Sequence, residues 1–345
     1  MSKKKIIICD YPSKYTFPSF GFGSAEKRIW SFAKTLSNTE LFEVIITGPL
    51  WLPKYLPSAR YFPTRLDVDS VDDFIKIFGK VDYLFAGHEY FDKDNYVNAF
   101  LKVSNKLISY QGNTYKYCRK SYDAERVFLF CYSDQMISLY KDQLPKKVLS
   151  YHSGVDEICY LTEKPKNYLV WIGRIDTDKS PHYAALASKV IGIPLYILGE
   201  SKYQKDYEEK YKYIFSDSNV QRKGVVYGPE KMKLLSEATC GIYTLGKDYT
   251  EAGAGVLGEI LRSGIPLAAI SWKGNDAVCE AVDDDRLGKV ELINEGETEE
   301  QIVGKLVKSI RYCLELDRKE IYKLANEKYD PMSLAEKMFR IIDGK

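Results

Sequence analysis

Glu251-Ala-Gly-Ala-Gly-Val-Leu-Gly-Glu259 is the stretch whose reading decides the fold. It sets two carboxylates eight positions apart around a glycine-rich turn that opens a helix. Upstream, Cys240 to Leu245 reads as a short buried strand. Downstream, Val256 to Ser263 reads as a helix that stops at Gly264-Ile265-Pro266, and Leu267 to Ile270 reads as the next strand. Strand, glycine turn, helix and strand make up the repeating unit of a parallel sheet. The turn places backbone N–H groups and the positive end of a helix at the sheet's carboxyl edge, where phosphates and sugars are held.

A second motif lies about 75 residues earlier, in Tyr168-Leu-Val-Trp-Ile-Gly173-Arg174-Ile-Asp-Thr-Asp-Lys179-Ser-Pro181. An apolar strand runs into Gly173-Arg174, a short loop carries Lys179, and Pro181 suits the first turn of a helix that continues from Ala184 to Ile191. One loop therefore presents two fixed cations at a strand end. That is what a departing diphosphate needs, because negative charge grows on it as its bond to a sugar breaks. Loop cations are often no more than solvated charges. Here both lie where a parallel sheet binds ligands, which favours the functional reading. Asp176-Thr-Asp178, an Asp-x-Asp pattern between the cations, reads as solvated loop carboxylates, and no metal is expected.

At 345 residues the chain is longer than one core supports, so two domains are expected. Hydrophobic residues at 45% and charged residues at 28% are globular values. No apolar run approaches the ~20 residues that span a bilayer. Ile6-Ile-Ile-Cys9 is broken by Asp10 too soon for a signal peptide and reads as the first strand. Seven cysteines without a Cys-x-x-Cys pair argue for a reducing compartment, so a cytoplasmic protein is expected. Residues 1–150 hold 22 Lys/Arg against 16 Asp/Glu, and the remainder holds 28 against 32. A basic first half suits an anionic acceptor or peripheral contact with a lipid surface. With no compact basic stripe, a nucleic-acid partner is not expected.

Strand and helix patterns alternate through both halves. First-half strands are expected near Lys5–Cys9, Val44–Thr47, Tyr83–Ala86, Leu107–Tyr110 and Phe128–Cys131. Helices are expected near Ser24–Leu36, Val71–Phe78, Asp94–Val103 and Asp134–Tyr140. The rhythm repeats from Tyr168 to Leu292, and prolines and charges between Lys141 and Lys166 place a boundary near residue 150. The expected domains are 1–150 and 151–330, with an amphipathic helix over 331–345 carrying Leu334, Met338, Ile341 and Ile342. The fold class is α/β: two doubly wound, Rossmann-like domains facing across a cleft.

Gly173-Arg174 with Lys179, followed by Glu251 and Glu259, resembles the donor-site signature of GT-B glycosyltransferases, specifically the retaining enzymes of glycosyltransferase family 4. The resemblance extends over nearly the whole chain. Gly21-Phe-Gly23-Ser-Ala-Glu-Lys27 resembles the family's glycine loop before the first helix, and His152-Ser-Gly-Val-Asp156 the segment entering the second domain. Leu195-Tyr-Ile-Leu-Gly199-Glu200 resembles the next strand and glycine, and Gly224-Val-Val-Tyr227-Gly228 the strand beside the base. There are departures. Glu251-Ala-Gly-Ala replaces the family's usual Glu-Gly-Phe-Gly, which leaves the fine shape of the sugar turn open. Lys273-Gly-Asn275-Asp-Ala277 stands where a Gly-Gly-x-Pro-Glu segment is usual and lacks its carboxylate unless Glu280 substitutes. The family's His-containing strand end is represented by Phe85-Ala-Gly-His88-Glu89.

The resemblance implies metal-independent transfer of a sugar from a nucleoside diphosphate donor to an acceptor hydroxyl, with retention at the anomeric carbon. Arg174 and Lys179 would stabilise the departing diphosphate, Glu251 would hold donor-sugar hydroxyls, and Glu259 would take the ribose hydroxyls. Gly21, Gly23, Gly173, Gly199, Tyr227, Gly253, Ala254 and Gly255 would line the donor. His88 would reach the donor sugar or the acceptor from the first domain; its bland alternative is a surface histidine. The partners implied are a nucleotide-sugar and a glycan, lipid-linked or small-molecule acceptor, with no cofactor. The competing readings are a sugar-nucleotide epimerase on the same scaffold and a non-catalytic nucleotide-sugar-binding subunit. Intact Arg174, Lys179, Glu251 and Glu259 argue against a dead site.

Three other features have plainer readings. His182, after Pro181 at a helix start, reads as structural. Lys202 to Tyr213 reads as a solvated helix face. Trp51 to Phe62 mixes aromatics, prolines and cations and reads as a packed loop, with a lipid-facing loop as the alternative.

Overall fold

Runs such as Ile6-Ile-Ile and Leu169-Val-Trp carry no polar alternation, and the chain buries them on both faces, as interior parallel strands require. The computed structural model describes residues 3–9, 24–48, 56–111, 125–138, 146–147, 159–201 and 204–344. The chain divides into two compact units, Met1–Asp156 with Asp330–Lys345, and Glu157–Tyr329.

The first unit contains β1 (Lys4–Cys9), α1 (Ser24–Ser37), β2 (Phe42–Thr47), β3 (Arg60–Phe62), α2 (Val71–Phe78), β4 (Val81–Gly87), α3 (Asp94–Val103), β5 (Ser104–Gln111), β6 (Val127–Cys131), α4 (Asp134–Ser138) and β7 (Lys146–Lys147). Its strands form one sheet in the order β3-β2-β1-β4-β5-β6-β7, paired in parallel throughout. β3 was not expected from the sequence. Arg60 pairs with Glu43 at 2.7 Å, the Tyr61 hydroxyl donates to the Leu56 carbonyl at 2.9 Å, and Leu56 and Phe62 are buried. The described part of the 51–62 segment is therefore a packed sheet edge; Trp51 to Tyr55 lie outside the described residues.

The second unit contains β8 (Leu169–Ile172), α5 (His182–Ile191), β9 (Leu195–Leu198), α6 (Lys205–Lys210), α7 (Lys212–Phe215), β10 (Val220–Gly224), α8 (Gly228–Ser236), β11 (Cys240–Tyr243), α9 (Gly255–Arg262), β12 (Leu267–Trp272), α10 (Ala277–Ala281), β13 (Gly288–Ile293), α11 (Glu299–Cys313) and α12 (Arg318–Lys328). Its sheet runs β10-β9-β8-β11-β12-β13, again parallel. Alternate strand residues serve two cores. Leu169 and Trp171 pack with α5 and with Ile302, Leu306 and Ile310 of α11. Val170 packs on the other face with Leu235 of α8, Leu257 and Ile260 of α9 and Ile321 of α12. Helices thus cover both faces, the doubly wound arrangement.

Strand order reverses between β8 and β11, so the loops that follow these two strands wind away on opposite faces and leave a crevice at the carboxyl edge. Both sequence motifs sit on those loops.

The last helix, α13 (Pro331–Asp343), belongs to the first unit. Phe339 packs against Phe42 and Tyr83 with ring centroids 4.7 and 5.0 Å away. Asp343 accepts hydrogen bonds from Lys4 at 2.8 Å, from the Tyr83 hydroxyl at 2.7 Å and from Lys106 at 3.3 Å. Burial alone would raise the Asp343 carboxyl; these donors outweigh it and hold the group down at about 2. Among the described residues no helix is long and apolar enough to cross a membrane.

Candidate functional site

The loop after β8 is built on glycine. A Cβ on Gly173 would lie 3.1 Å from the Trp171 ring, tight enough that the indole would have to give, and in ordinary contact at 3.7 Å with Cγ of Lys179. Gly199, after β9, has φ +150°, and a Cβ there would fall 1.9 Å from the Gly173 carbonyl oxygen. Only glycine permits that backbone approach.

Arg174 lies between two carboxylates of its own loop, 2.8 Å from Asp176 and 2.9 Å from Asp178. Burial would lower the Arg174 pKa, but Asp176 and Asp178 keep it above its ordinary value. The expectation of solvated Asp-x-Asp carboxylates holds for neither residue. Asp178 is half-buried, and Asp176 is 2% exposed and accepts the Lys179 backbone N–H at 3.0 Å. Burial raises the Asp176 carboxyl despite Arg174 beside it and the Lys179 N–H. The pair serves to orient Arg174 and shape the turn.

The backbone of Lys179 is clamped at its other end as well. Its carbonyl accepts from the Thr244 hydroxyl at 2.6 Å, and that hydroxyl accepts from the Trp171 indole at 3.0 Å. Ser180 then takes φ +43°, a left-handed turn that lets Pro181 lead into α5. The Lys179 ammonium is thereby aimed at the loop after β11.

There it meets Glu251. Lys179 Nζ lies 2.5 Å from Glu251 Oε2 and 2.6 Å from the Tyr243 hydroxyl, and that hydroxyl donates to the same Glu251 oxygen. The Tyr249 ring centroid lies 4.4 Å from the ammonium. Gly253 N–H donates to Glu251 Oε1 at 2.8 Å. Burial pulls the Lys179 pKa down, but Glu251 and the two tyrosines outweigh it and hold it well above the ordinary value. Burial pushes Glu251 up, and Lys179, Tyr243 and Gly253 together bring it below the ordinary value. The pair is ionised at neutral pH.

Asn275 fixes the turn from outside, accepting from the Glu251 N–H at 3.2 Å and donating to the Tyr249 carbonyl at 2.6 Å. It lies in the 273–277 segment, whose missing carboxylate was noted above, and there it holds the Glu251 backbone. Gly253 has φ +136°, Ala254 is the extended N-cap of α9, and Gly255 begins that helix without a side-chain cap. Glu259, one turn further on, is 7% exposed and pairs at 2.8 Å with Lys231 of α8, itself 2% exposed.

The structure thus brings Lys179 to Glu251, Gly173 to Gly199 and Gly253 to Glu251, while Arg174 and Glu259 are each held by other partners. Tyr227 is the N-cap of α8 and 56% exposed. Residues Val225 to Tyr227 were expected as a strand, but β10 ends at Gly224, and they form the loop into α8. The backbone of His88 starts a short 3-10 turn directly after β4 in the first unit; its side chain lies outside the described residues. Gly21, Gly23, His152, Gly154 and Asp156 also lie outside them.

Tyr243, Asn275 and Lys231 were missed by sequence reasoning. Lys231 had a signal: it shares the buried stripe of α8 with Leu235, where a lysine needs a partner. Tyr243 had a weaker one, a hydroxyl at the carboxyl end of a fully buried strand. His182 is structural: its Nδ1 lies 2.6 Å from the Tyr207 hydroxyl, and burial lowers its pKa to about 3. In the 202–213 segment Lys205, Asp206, Glu209, Lys210, Lys212 and Tyr213 are exposed, as the solvated helix face expected from its composition, and Tyr207 alone among the described residues turns inward to be buried.

No sequence family and no characterised sequence relative matches the chain. Solved structures do match over its length. AviGT4, a glycosyltransferase involved in avilamycin A biosynthesis, superposes with TM-score 0.71 at 16% identity, covering 99% of each chain. Sucrose-phosphate synthase from Thermosynechococcus elongatus gives 0.66 at 12% identity, covering 99% of each. Alr3699/HepE from Anabaena, in complex with UDP and glucose, gives 0.64 at 12% identity, covering 99% of this chain and 100% of that one. Identities this low establish the architecture alone. The protein has the GT-B fold, with two Rossmann-like units.

Proposed function

We propose that this protein is a glycosyltransferase that moves a sugar from a nucleoside diphosphate donor to an acceptor hydroxyl, with retention and without a metal. The observation that carries the reading is the convergence of Lys179 and Glu251, from the loops after β8 and β11, at the point where strand order reverses. A cation on one loop and a carboxylate on the other are what a diphosphate and a sugar hydroxyl respectively require. HepE, of the same fold, binds UDP and glucose, which supports a nucleotide-sugar as the donor class.

In this reading Arg174 and Lys179 stabilise the charge that develops on the diphosphate, and those two cations take the place a metal would otherwise fill. Glu251 orients sugar hydroxyls, and Glu259, set by Lys231, accepts from the ribose. Gly173, Gly199, Gly253, Ala254 and Gly255 let backbone approach the donor, with Tyr227 toward the base. Gly21 and Gly23 also line the donor in this reading, and His88 serves the donor sugar or the acceptor, which is a glycan, lipid-linked or small-molecule hydroxyl. The test is a panel of UDP-, GDP- and ADP-sugars, with EDTA present, followed for binding and slow hydrolysis. One donor should bind and turn over, and Lys179→Ala should reduce turnover by about 100-fold or more. Unchanged turnover in Lys179→Ala, or complete dependence on an added divalent cation, would overturn it.

A further inference from the structure

Lys179 and Glu251 neutralise each other in this structure, yet the function proposed above asks Lys179 to meet an anion. A diphosphate at the strand ends draws the ammonium toward itself. Glu251, with a side chain only 4% exposed, then loses its ion-pair partner. A buried carboxylate left unpaired is strongly unfavourable and would oppose donor binding.

Tyr243 is placed to remove that obstacle. It stands at the carboxyl end of β11, 2% exposed, with its hydroxyl in contact with both charges. With Lys179 turned away, Glu251 keeps a donor on each oxygen, the phenol on Oε2 and the Gly253 N–H on Oε1. Without the phenol, Lys179 is the hydrogen-bond donor left to Oε2 among the described residues. Lys179 is also the more accessible of the two charged partners, at 12% against 4%. We propose that Tyr243 is a positioning residue that holds Glu251 while Lys179 turns to the donor diphosphate. This deepens the donor-site reading and rests on it. Burial, with Glu251 beside it, raises the Tyr243 hydroxyl well above its ordinary value, so it remains a proton donor throughout.

Calorimetric titration tests this with UDP, GDP and ADP and with uridine, guanosine and adenosine. Tyr243→Phe should weaken binding of the preferred diphosphate about tenfold or more. The matching nucleoside needs a folded site but no phosphate, and its affinity should stay within about twofold. In a Glu251→Gln background no charge can be stranded, so adding Tyr243→Phe should change diphosphate affinity by less than about twofold. Equal losses in both backgrounds, equal losses for nucleoside and diphosphate, or no loss at all would overturn the inference and leave the donor reading standing. Failure of the unmodified protein to bind any of the three diphosphates would instead remove the donor reading, and the inference with it.

Discussion

The two sheets share one winding rule and differ in what they bury. In the first unit the described residues include one buried charged side chain, Arg28, beside buried Ser and Thr. The second unit buries Asp176, Lys231, Glu251 and Glu259, with Lys179 only slightly more exposed. Buried charge is unfavourable unless paired, and a hydrophobic replacement is often at least as stable. Four of these five charges gather at the carboxyl edge between β8 and β11 or on the helix just behind it, and Lys231 comes from α8 to meet one of them. Fold stability explains the first sheet, but it does not explain that concentration. The donor site proposed above would account for it.

Substitutions at three positions and a titration would break or sharpen the contrast, from largest effect to smallest. Gly199→Ala pushes a Cβ to 1.9 Å from the Gly173 carbonyl in a conformation that L-residues avoid. It should destabilise by about 4 kcal/mol or more in chemical denaturation. Gly79→Ala in the first unit, at φ +72° with nothing within 4 Å, should lose only about 1 kcal/mol. Similar losses at both would mean that the contact between the strand-end loops is not rigid.

Arg174→Ala should lower turnover about 100-fold and also lower the melting temperature, because it strands the buried Asp176 carboxylate, whereas Arg174→Lys keeps a cation there and should hold more of the stability. A large fall in stability with turnover intact would make Arg174 a scaffold residue.

Acid should separate the units last and most gently. Burial keeps His182 neutral down to about 3, whereas the unfolded chain takes up a proton near 6.5. The unfolded state therefore binds more protons in that window, and the second unit loses stability as pH falls from about 6.5. Asp343 runs on a lower scale. Its folded pKa is depressed, so its contribution is present above about 4 and lost as pH falls toward about 2. Melting curves on either side of pH 5 should show His182→Phe flattening the first slope and Asp343→Asn flattening the second.

The architecture was legible wherever strands were interior. β1, β2, β4, β6, β8, β9, β11 and β12 are mostly apolar runs that only a sheet covered on both faces can use, and β5 carries a shorter apolar stretch, Leu107-Ile108, between polar residues. The misses are edges. β10 is Val-Gln-Arg-Lys-Gly with most side chains exposed, so its pattern looks like a loop, and the apolar Val225-Val-Tyr227 beside it looked like the strand. β3 and β7 hold only three and two residues and take their pairing from a neighbour's backbone. Arg174, Lys179 and Glu251 were readable from spacing along strand ends. Their partners were not, because Tyr243 and Asn275 come from other segments and no local pattern marks a contact made only when the sheet forms. The Asp176-Thr-Asp178 pair misled for the same reason: its composition is that of a surface loop, and its burial follows from Arg174 and the turn.

Hydrogen–deuterium exchange with and without the bound UDP-, GDP- or ADP-sugar tests the central claim most directly. If the donor sits at the β8–β11 reversal, amides in 173–180 and 251–259 gain protection together on binding, and Lys179→Ala abolishes the gain at the same ligand concentration. Protection confined to other segments, or binding with these two loops unchanged, would contradict it.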